Sequence, residues 1–405
     1  MQLYINQDIV VVNNPFENAI FTYDRRNHIK SIINEDMFEM LEYIYQHEGI
    51  TLETFLESYE GIEDIIEQLI ELSIVKKNKQ KRCHNVKKLQ RIDSARLFVE
   101  LTDKCNLRCK HCYGDFKPEN YHFLSIDVLN NLIKQAVDLN IYQFDLTGGE
   151  PLLYKDLELL LSKLYDAGML VTIFSNLTVQ KEEIINLLNK YCVKKVITSI
   201  DSHIEKVHDE FRGVNGALSK TLNNIFKLKN TSIELSVNTM VGNHNERTIN
   251  ETIMFLKKLD LPCVLDAIIP NGRANQLDEN IFKSVQIIHD LYKNKELNVE
   301  LKITDCGVGK RFLYIKSNGN VCLCPSLISQ QFVFDNINQE NFSLLSCWKN
   351  MNKLYDDLEC KEKCSKKKLC NGGCRARALI FKNNLYKRDL NSCILCGECS
   401  LDEIK

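Results

Sequence analysis

The sequence contains no uncharged run long enough to cross a membrane, and its first residues lack the basic and apolar segments of a signal peptide. Neither sign of charge is in excess, because 52 lysine and arginine residues face 54 aspartate and glutamate residues. Such a balance gives no electrostatic preference for a polyanion. We therefore expect a cytoplasmic protein of two or three domains that binds neither a membrane nor a nucleic acid.

Cysteine is absent from the first 80 residues, although the whole chain of 405 residues has 17 cysteines. Cytoplasmic thiols are kept reduced, so clustered cysteines there are more often metal ligands or catalytic groups than disulfides. The stretch LTDKCNLRCKHCYGDF places Cys105, Cys109 and Cys112 in the spacing C-x3-C-x2-C, without a fourth cysteine. Zinc usually takes four ligands, whereas three thiolates can hold a [4Fe–4S] cluster and leave one iron open. This loop therefore predicts an iron–sulfur site with an open iron.

The cysteine loop resembles the signature of radical S-adenosylmethionine (SAM) enzymes, in which an aromatic residue or a histidine, here His111, precedes the third cysteine. The resemblance implies that Cys105, Cys109 and Cys112 are the catalytic cluster ligands and that SAM chelates the free iron. It also implies reductive cleavage of SAM to methionine and a 5'-deoxyadenosyl radical, which takes a hydrogen atom from the substrate. A flavodoxin- or ferredoxin-type protein is the expected electron donor.

After Cys112, apolar runs alternate with amphipathic segments. YQFDLTGGEPLL, LVTIFSN, KKVITSID and IELSVNTMV are each followed by a helical pattern. Strands that alternate with helices indicate parallel βα units, and hence an α/β fold. By resemblance we expect the partial (β/α)6 TIM barrel of radical SAM enzymes, with the site at the carboxyl ends of the strands.

The segments at these strand ends also resemble radical SAM motifs. In LTGGEP the glycines would let the backbone approach the ligand, and the glutamate would lie near the SAM amino group. The SID segment would contact the ribose, the arginine of HDEFRG would pair with the SAM carboxylate, and IIPNGRA would approach the adenine. The residues implied to bind the cofactor are His111, Gly148, Gly149, Glu150, Ser175, Asn176, Ser199, Asp201, Arg212 and Ile268.

The segment from about residue 300 onward contains a second group of cysteines and resembles the SPASM domain, an extension that carries two auxiliary iron–sulfur clusters. The resemblance implies three [4Fe–4S] clusters in all. Zinc remains an alternative for these thiolates, and the spacing Cys360-x3-Cys364 departs from the usual C-x2-C. Cys322, Cys347, Cys396 and Cys399 have no assigned role, and any of them could complete a site. The implied ligands are Cys306, Cys324 and Cys374 for auxiliary cluster I, and Cys360, Cys364, Cys370 and Cys393 for auxiliary cluster II.

The first 80 residues read as short strands followed by three helices, with Asn34 and Thr51 as helix caps, which suggests a winged-helix-like domain. The acidic helices would repel DNA, which disfavours a DNA-binding role. The region resembles the recognition element of enzymes that modify ribosomally made peptides, known as the RiPP recognition element. This element binds the leader of the precursor peptide as an extra strand on a sheet edge. The basic stretch KKNKQKRCHNVKK is expected to be a solvated linker.

Together these resemblances indicate a radical SAM/SPASM maturase of a ribosomally synthesised and post-translationally modified peptide (RiPP). The first hypothesis is that it forms a thioether between a cysteine sulfur and a carbon atom, as sactipeptide and ranthipeptide maturases do. A carbon–carbon or carbon–oxygen crosslink, or epimerisation, is the second. A noncatalytic iron–sulfur sensor is the third, although a sensor would not need the SAM motifs. The expected domains are residues 1–80 for leader recognition, 81–95 for the linker, 96–300 for the barrel and 301–405 for the SPASM domain.

Overall fold

The computed structural model describes residues 1–59, 61–90, 95–119, 121–277, 281–294, 297, 307–352, 360, 364–365, 370 and 372–395. No helix in these ranges is both long enough and apolar enough to cross a membrane.

The first 90 residues form two small sheets and three helices around one apolar core. The sequence predicts both helix caps correctly: the Asn34 side chain accepts the Met37 amide at 2.9 Å, and Thr51 Oγ1 accepts the Thr54 amide at 3.2 Å. One sheet has the strand order β5-β1-β6 and the other β4-β3-β2-β7. The elements are β1 (Gln2–Ile5), β2 (Ile9–Asn14), β3 (Ala19–Asp24), β4 (Ile29–Ile32), α1 (Glu35–Gln46), β5 (Ile50–Thr51), α2 (Leu52–Ser58), α3 (Glu63–Glu71), β6 (Val75–Lys76) and β7 (Val86–Lys88).

The centre of the protein is a nine-stranded sheet in which six parallel strands follow the order of the chain. This confirms the predicted α/β class. The strands are β8 (Arg96–Thr102), β9 (Gln143–Gly148), β10 (Leu170–Phe174), β11 (Lys195–Ser199), β12 (Glu234–Val241) and β13 (Cys263–Ala267). The helices that alternate with them are α4 (Ile126–Asp138), α5 (Leu157–Asp166), α6 (Glu182–Lys190), α7 (Glu205–Arg212), α8 (Ala217–Leu228), α9 (Ile249–Lys258) and α10 (Ile281–Lys293).

The C-terminal part extends the same sheet rather than forming a separate one. Strand β14 (Phe312–Ile315) pairs in parallel with β8, and β15 (Asn320–Cys322) and β16 (Val333–Asn336) continue antiparallel. This arrangement places the turn after β14 at the same sheet edge as the carboxyl ends of β8 to β13. The remaining helices are α11 (Leu344–Asn352), α12 (Arg375–Lys382) and α13 (Leu390–Leu395).

The N-terminal sheets pack on the opposite edge, where the parallel strands begin. Phe21 and Tyr23 share one buried cluster with Tyr142 and Leu170, which lie at the starts of β9 and β10. The rings of Phe21 and Tyr142 meet edge to face at 5.9 Å. The N-terminal domain therefore lies against the parallel sheet at the edge remote from the carboxyl ends of its strands.

The expected solvated linker is partly buried. Strand β7 pairs with β2, and Cys83 and Lys87 are each 1 % exposed. Lys87 Nζ donates to the Ala167 carbonyl at the end of α5 at 2.9 Å, and the His84 amide donates to Asp166 at 3.1 Å. The basic composition alone did not show this, because the charges meet helix carbonyls that are distant in sequence.

Candidate functional site

The three cysteines of the C-x3-C-x2-C loop lie together beyond the end of β8. Cys105, Cys109 and Cys112 belong to one small apolar cluster that includes Leu107 and Phe116. Two polar side chains from other elements reach these cysteines: Asn176 Nδ2, from beyond β10, lies 4.0 Å from Cys105 Sγ, and Arg212 Nη1, from the last residue of α7, lies 3.8 Å from Cys109 Sγ. The structure therefore brings the loop, Asn176 and Arg212 to one place, as the sequence predicts.

Glu150 lies at the centre of a buried hydrogen-bond network after β9. Its carboxylate accepts the Ser175 hydroxyl at 2.7 Å and the Asn176 amide at 2.8 Å. It also accepts the Leu152 amide at 3.0 Å, which begins the short 3-10 helix Pro151–Leu153. Burial raises the pKa of Glu150 to about 7, although these donors favour its charged form. The predicted residues Glu150, Ser175 and Asn176 are thus direct neighbours.

The adjacent glycines Gly148 and Gly149 allow the end of β9 to approach the backbone at the end of β8 closely. A Cβ atom at Gly148, whose φ is +140°, would lie 2.2 Å from the Thr102 carbonyl oxygen. A Cβ atom at Gly149 would lie 2.2 Å from the Lys104 carbonyl oxygen. The close approach that we expected towards a ligand is therefore made to the backbone that leads into the cysteine loop.

Arg212 forms a buried, two-pronged ion pair with Asp201, which the sequence analysis did not predict. Its Nε lies 2.7 Å from Asp201 Oδ2, and its Nη2 lies 3.1 Å from Asp201 Oδ1. Burial alone would raise the pKa of Asp201, but Arg212 and His208 outweigh it and hold this pKa well below its usual range. Asp201 thus holds the Arg212 guanidinium next to Cys109, and the predicted contacts of both side chains with SAM stay a prediction.

A stack of three rings covers one side of the cysteine loop. His111 lies parallel to Phe211 with ring centroids 4.5 Å apart, and Phe211 stacks on His244 at 3.6 Å. Burial and the nearby Arg212 cation lower the pKa of His111 to about 3, so its ring is neutral. Ile268, one residue beyond β13, packs on the same Phe211. His111 and Ile268 therefore meet through Phe211, which the sequence analysis did not select.

The chemistry of these donors fits an iron–sulfur cluster. Thiolates are the usual ligands of such clusters, and they must be deprotonated to bind. Burial raises the pKa of Cys109, whereas the Arg212 cation opposes that rise and favours the thiolate. Ser199, another of the predicted cofactor-binding residues, is the last residue of β11. Across the described ranges no three His, Cys, Asp or Glu side chains take up a metal-binding arrangement.

The C-terminal cysteines are placed only in part. Cys324 is buried, and burial is the main cause that raises its pKa to about 12. Cys374, which precedes α12, lies close enough to contribute to this rise. Cys347 donates to Asp335 Oδ2 at 3.6 Å. Cys322 is buried in β15. Cys306, Cys396 and Cys399 lie outside the described residues, and among the other predicted ligands Cys360 and Cys364 are half-buried while Cys370 and Cys393 are buried.

A second buried polar network was not predicted at all. Glu100, on β8, accepts the hydroxyl groups of Tyr314 and Ser317. The Tyr113 hydroxyl, next to Cys112 in sequence, lies 3.5 Å from that of Tyr314. One available signal was the single charge of Glu100 within the apolar run LFVEL. The sequence gave no comparable signal for Tyr314, whose contact with β8 depends on the position of β14.

Comparison with known proteins agrees with this geometry. Residues 99–256 match the sequence model of the Radical SAM superfamily. Over 321 residues the chain is 29% identical to an AdoMet-dependent heme synthase of Methanosarcina barkeri, an alignment covering 69% of this chain and 90% of that protein. Over 327 residues it is 25% identical to the antilisterial bacteriocin subtilosin biosynthesis protein AlbA of Bacillus subtilis, covering 75% of this chain and 72% of AlbA.

Among solved structures, the fold is similar to that of Streptococcus suis SuiB bound to precursor peptide SuiA. The TM-score is 0.66 at 16% identity, and the alignment covers 97% of this chain and 100% of SuiB. The radical SAM match spans the elements from β8 to α9 that carry the cysteine loop, Glu150 and Arg212.

Proposed function

We propose that the protein is a radical SAM maturase of a ribosomally made precursor peptide and that it forms a thioether between a cysteine sulfur and a carbon atom. The observation that carries the radical chemistry is the proximity of the three cysteines of the loop, Cys105, Cys109 and Cys112, to Asn176 beyond β10 and Arg212 at the end of α7. When bound, the cluster and SAM supply a carbon-centred radical that removes a hydrogen atom from the substrate. A flavodoxin- or ferredoxin-type protein supplies the electron.

The residues around the loop have separate proposed tasks. Asp201 orients Arg212 by two hydrogen bonds, and Arg212 keeps a positive charge beside Cys109. Glu150 fixes the Ser175 and Asn176 segment, so that this strand end stays beside Cys105. The proposed cofactor-binding residues are His111, Gly148, Gly149, Glu150, Ser175, Asn176, Ser199, Asp201, Arg212 and Ile268.

The proposal of a peptide substrate rests on two kinds of support. The chain is similar to AlbA, a bacteriocin biosynthesis protein, and to SuiB, which was solved with a precursor peptide. In addition, all four residues of edge strand β4 are exposed, and β4 pairs on one side only, with β3. An exposed edge of this kind can accept a peptide as an additional strand. The identity to a heme synthase favours a tetrapyrrole as the second candidate substrate.

The thioether proposal rests on the C-terminal cysteines. We propose that Cys306, Cys324 and Cys374 hold auxiliary cluster I and that Cys360, Cys364, Cys370 and Cys393 hold auxiliary cluster II. Cys324 and Cys374 are neighbours, and Cys347 directs its thiol to Asp335. With three cysteine ligands, auxiliary cluster I would keep an open iron for the peptide thiolate. Holding the sulfur there would favour its reaction with the carbon radical.

Mass spectrometry of the matured peptide tests the reaction. We expect each link to remove two hydrogen atoms and to protect one cysteine from alkylation, because its sulfur becomes part of a thioether. The same mass loss with every cysteine still alkylated would indicate a carbon–carbon or carbon–oxygen crosslink. Deuterium uptake from heavy water without a mass loss in light water would indicate epimerisation. An unmodified peptide together with a modified tetrapyrrole would support the second candidate substrate.

Leader binding can be tested at β4 by a single substitution. The Ile33 amide donates to Ile20, so alternation along the strand turns the amides of Lys30 and Ile32 outward. Lys30→Pro removes one outward donor, and we expect precursor affinity to fall roughly tenfold, as for one or more lost hydrogen bonds. Lys30→Ala is the matched control, because it removes the side chain and keeps the amide. Equal affinities of the two variants would contradict binding at β4.

A further inference from the structure

Glu100 is a buried carboxylate without a salt bridge in the described part of the chain. It is 1 % exposed, and its acceptor atoms are occupied by neutral donors. Burial raises the pKa of Glu100, and the hydrogen bonds from Ser317 and Tyr314 only partly oppose this rise. A carboxylate buried among neutral hydrogen-bond donors is costly for a fold, and such groups are frequent at functional sites.

The surroundings of Glu100 connect the two cysteine-bearing regions. Ser317 donates to Oε1 through both its hydroxyl at 2.6 Å and its amide at 3.2 Å, while Tyr314 donates to Oε2. Tyr314 pairs in register with Cys322, and it contacts Tyr113, which follows Cys112. Glu100 therefore lies between the loop of Cys112 and the strand of Cys322.

A cavity of about 130 Å³ opens beside this network. Its walls include Glu100, Tyr113, Phe116, Lys316 and Ser317. The cavity lies between the cysteine loop and the turn that follows β14, at the edge where the parallel strands end. A space of this size would hold one peptide side chain.

We propose that Glu100 is the general base that takes the proton released when the bound peptide is crosslinked. This inference rests on the proposed function. In the overall step, the C–H bond loses a hydrogen atom to the deoxyadenosyl radical, and the S–H bond loses a proton. As the C–S bond forms, one electron passes to an iron–sulfur cluster. The carboxylate at the cavity wall accepts the proton, so atoms and charge balance.

The charge state of Glu100 depends on groups from four segments. Tyr314 faces it from β14, Tyr113 from the cysteine loop, Lys316 from the following turn and Cys322 from β15. The hydrogen bond from Tyr314 favours the carboxylate, so Tyr314→Phe should raise the pKa of Glu100 further. The acid limb of the pH profile for crosslinking should then move to higher pH.

The test compares wild-type, Glu100→Gln, Glu100→Asp and Tyr314→Phe enzymes, each reconstituted with iron and supplied with SAM. The peptide substrate is a cysteine-containing precursor peptide, to be sought as a short reading frame near the gene. We expect the ratio of crosslinked product to 5'-deoxyadenosine to fall about 10²-fold in Glu100→Gln, as for loss of a general base. The ratio for Glu100→Asp should lie between those of the wild-type and Glu100→Gln enzymes. The ratio for Tyr314→Phe should return to that of the wild-type enzyme at higher pH.

Infrared spectroscopy of the same proteins gives a readout without peptide. The band of a protonated carboxyl group should titrate in the wild-type enzyme, disappear in Glu100→Gln and persist to higher pH in Tyr314→Phe. Asp145→Asn is the matched control, since Asp145 is also a buried carboxylate, on the neighbouring strand, and the Glu100 band should remain. Equal product ratios for wild-type and Glu100→Gln, or no band lost in Glu100→Gln, would overturn the role of Glu100. Absence of any crosslink from the wild-type enzyme would contradict the proposed function itself.

Discussion

Replacement of Cys105, Cys109 and Cys112 together by alanine is expected to abolish the formation of 5'-deoxyadenosine. The three cysteine side chains belong to one small apolar group of residues beyond the end of β8, and Arg212 places a positive charge beside Cys109. Alanine offers no ligand, so the site loses all three of its proposed iron ligands. Anaerobic incubation with SAM and dithionite, followed by chromatography, measures this loss.

The iron content gives a second measurement on the same variant. Three [4Fe–4S] clusters correspond to roughly 12 iron atoms per chain, and the triple variant should lose about one third of them. Cys83→Ala with Cys192→Ala is a suitable control, because these two cysteines are buried far from the loop in sequence. The control should keep both the iron and the cleavage. Cleavage of SAM by the triple variant would refute the assignment of the loop.

The sequence predicted those features that depend on short-range patterns. Alternating apolar runs and amphipathic helices located the parallel strands from β9 to β12, and side-chain caps marked the starts of α1 and α2. The C-x3-C-x2-C spacing and the strand-end motifs located the loop and Glu150. These signals are local, because period, cap and ligand spacing are all read within about a dozen residues.

The remaining features depend on contacts between distant segments. The pair of Arg212 with Asp201 requires a particular turn of α7 against the end of β11. The contact of Glu100 with Tyr314 joins residues 214 positions apart in the chain. No periodicity encodes such pairs, so the sequence analysis did not find the pairing of Arg212 with Asp201.

The buried cations beneath the sheet lead to a prediction on stability. Lys87 Nζ and Arg25 Nη1 donate to the carbonyls of Ala167 and Tyr165, at 2.9 and 2.7 Å respectively, where α5 ends. The negative end of a helix dipole favours a cation, but burial disfavours it more strongly. Burial, together with the neighbouring Arg25 cation, lowers the pKa of Lys87 to about 7. Lys87 therefore loses its proton in the folded protein well below the pH at which it does so in the unfolded chain.

The sign of the pH dependence follows from proton binding. Between the pKa of Lys87 in the folded protein, about 7, and its higher value in the unfolded chain, the unfolded chain binds more protons, so stability rises with pH. From pH 7 to pH 9 the free energy of unfolding of the wild-type protein should rise by about 2–3 kcal/mol more than that of Lys87→Met. Urea unfolding at both pH values under anaerobic conditions measures the difference.

Lys88→Met is the matched control for this experiment, because Lys88 is the next residue on β7 and is half-exposed beside Glu35. It should keep the pH dependence of the wild-type protein. If Lys87→Met and the wild-type protein have parallel pH dependences, the Lys87 ammonium is not buried between β7 and α5. A loss of the dependence in Lys87→Met alone would support burial of the Lys87 ammonium against the end of α5.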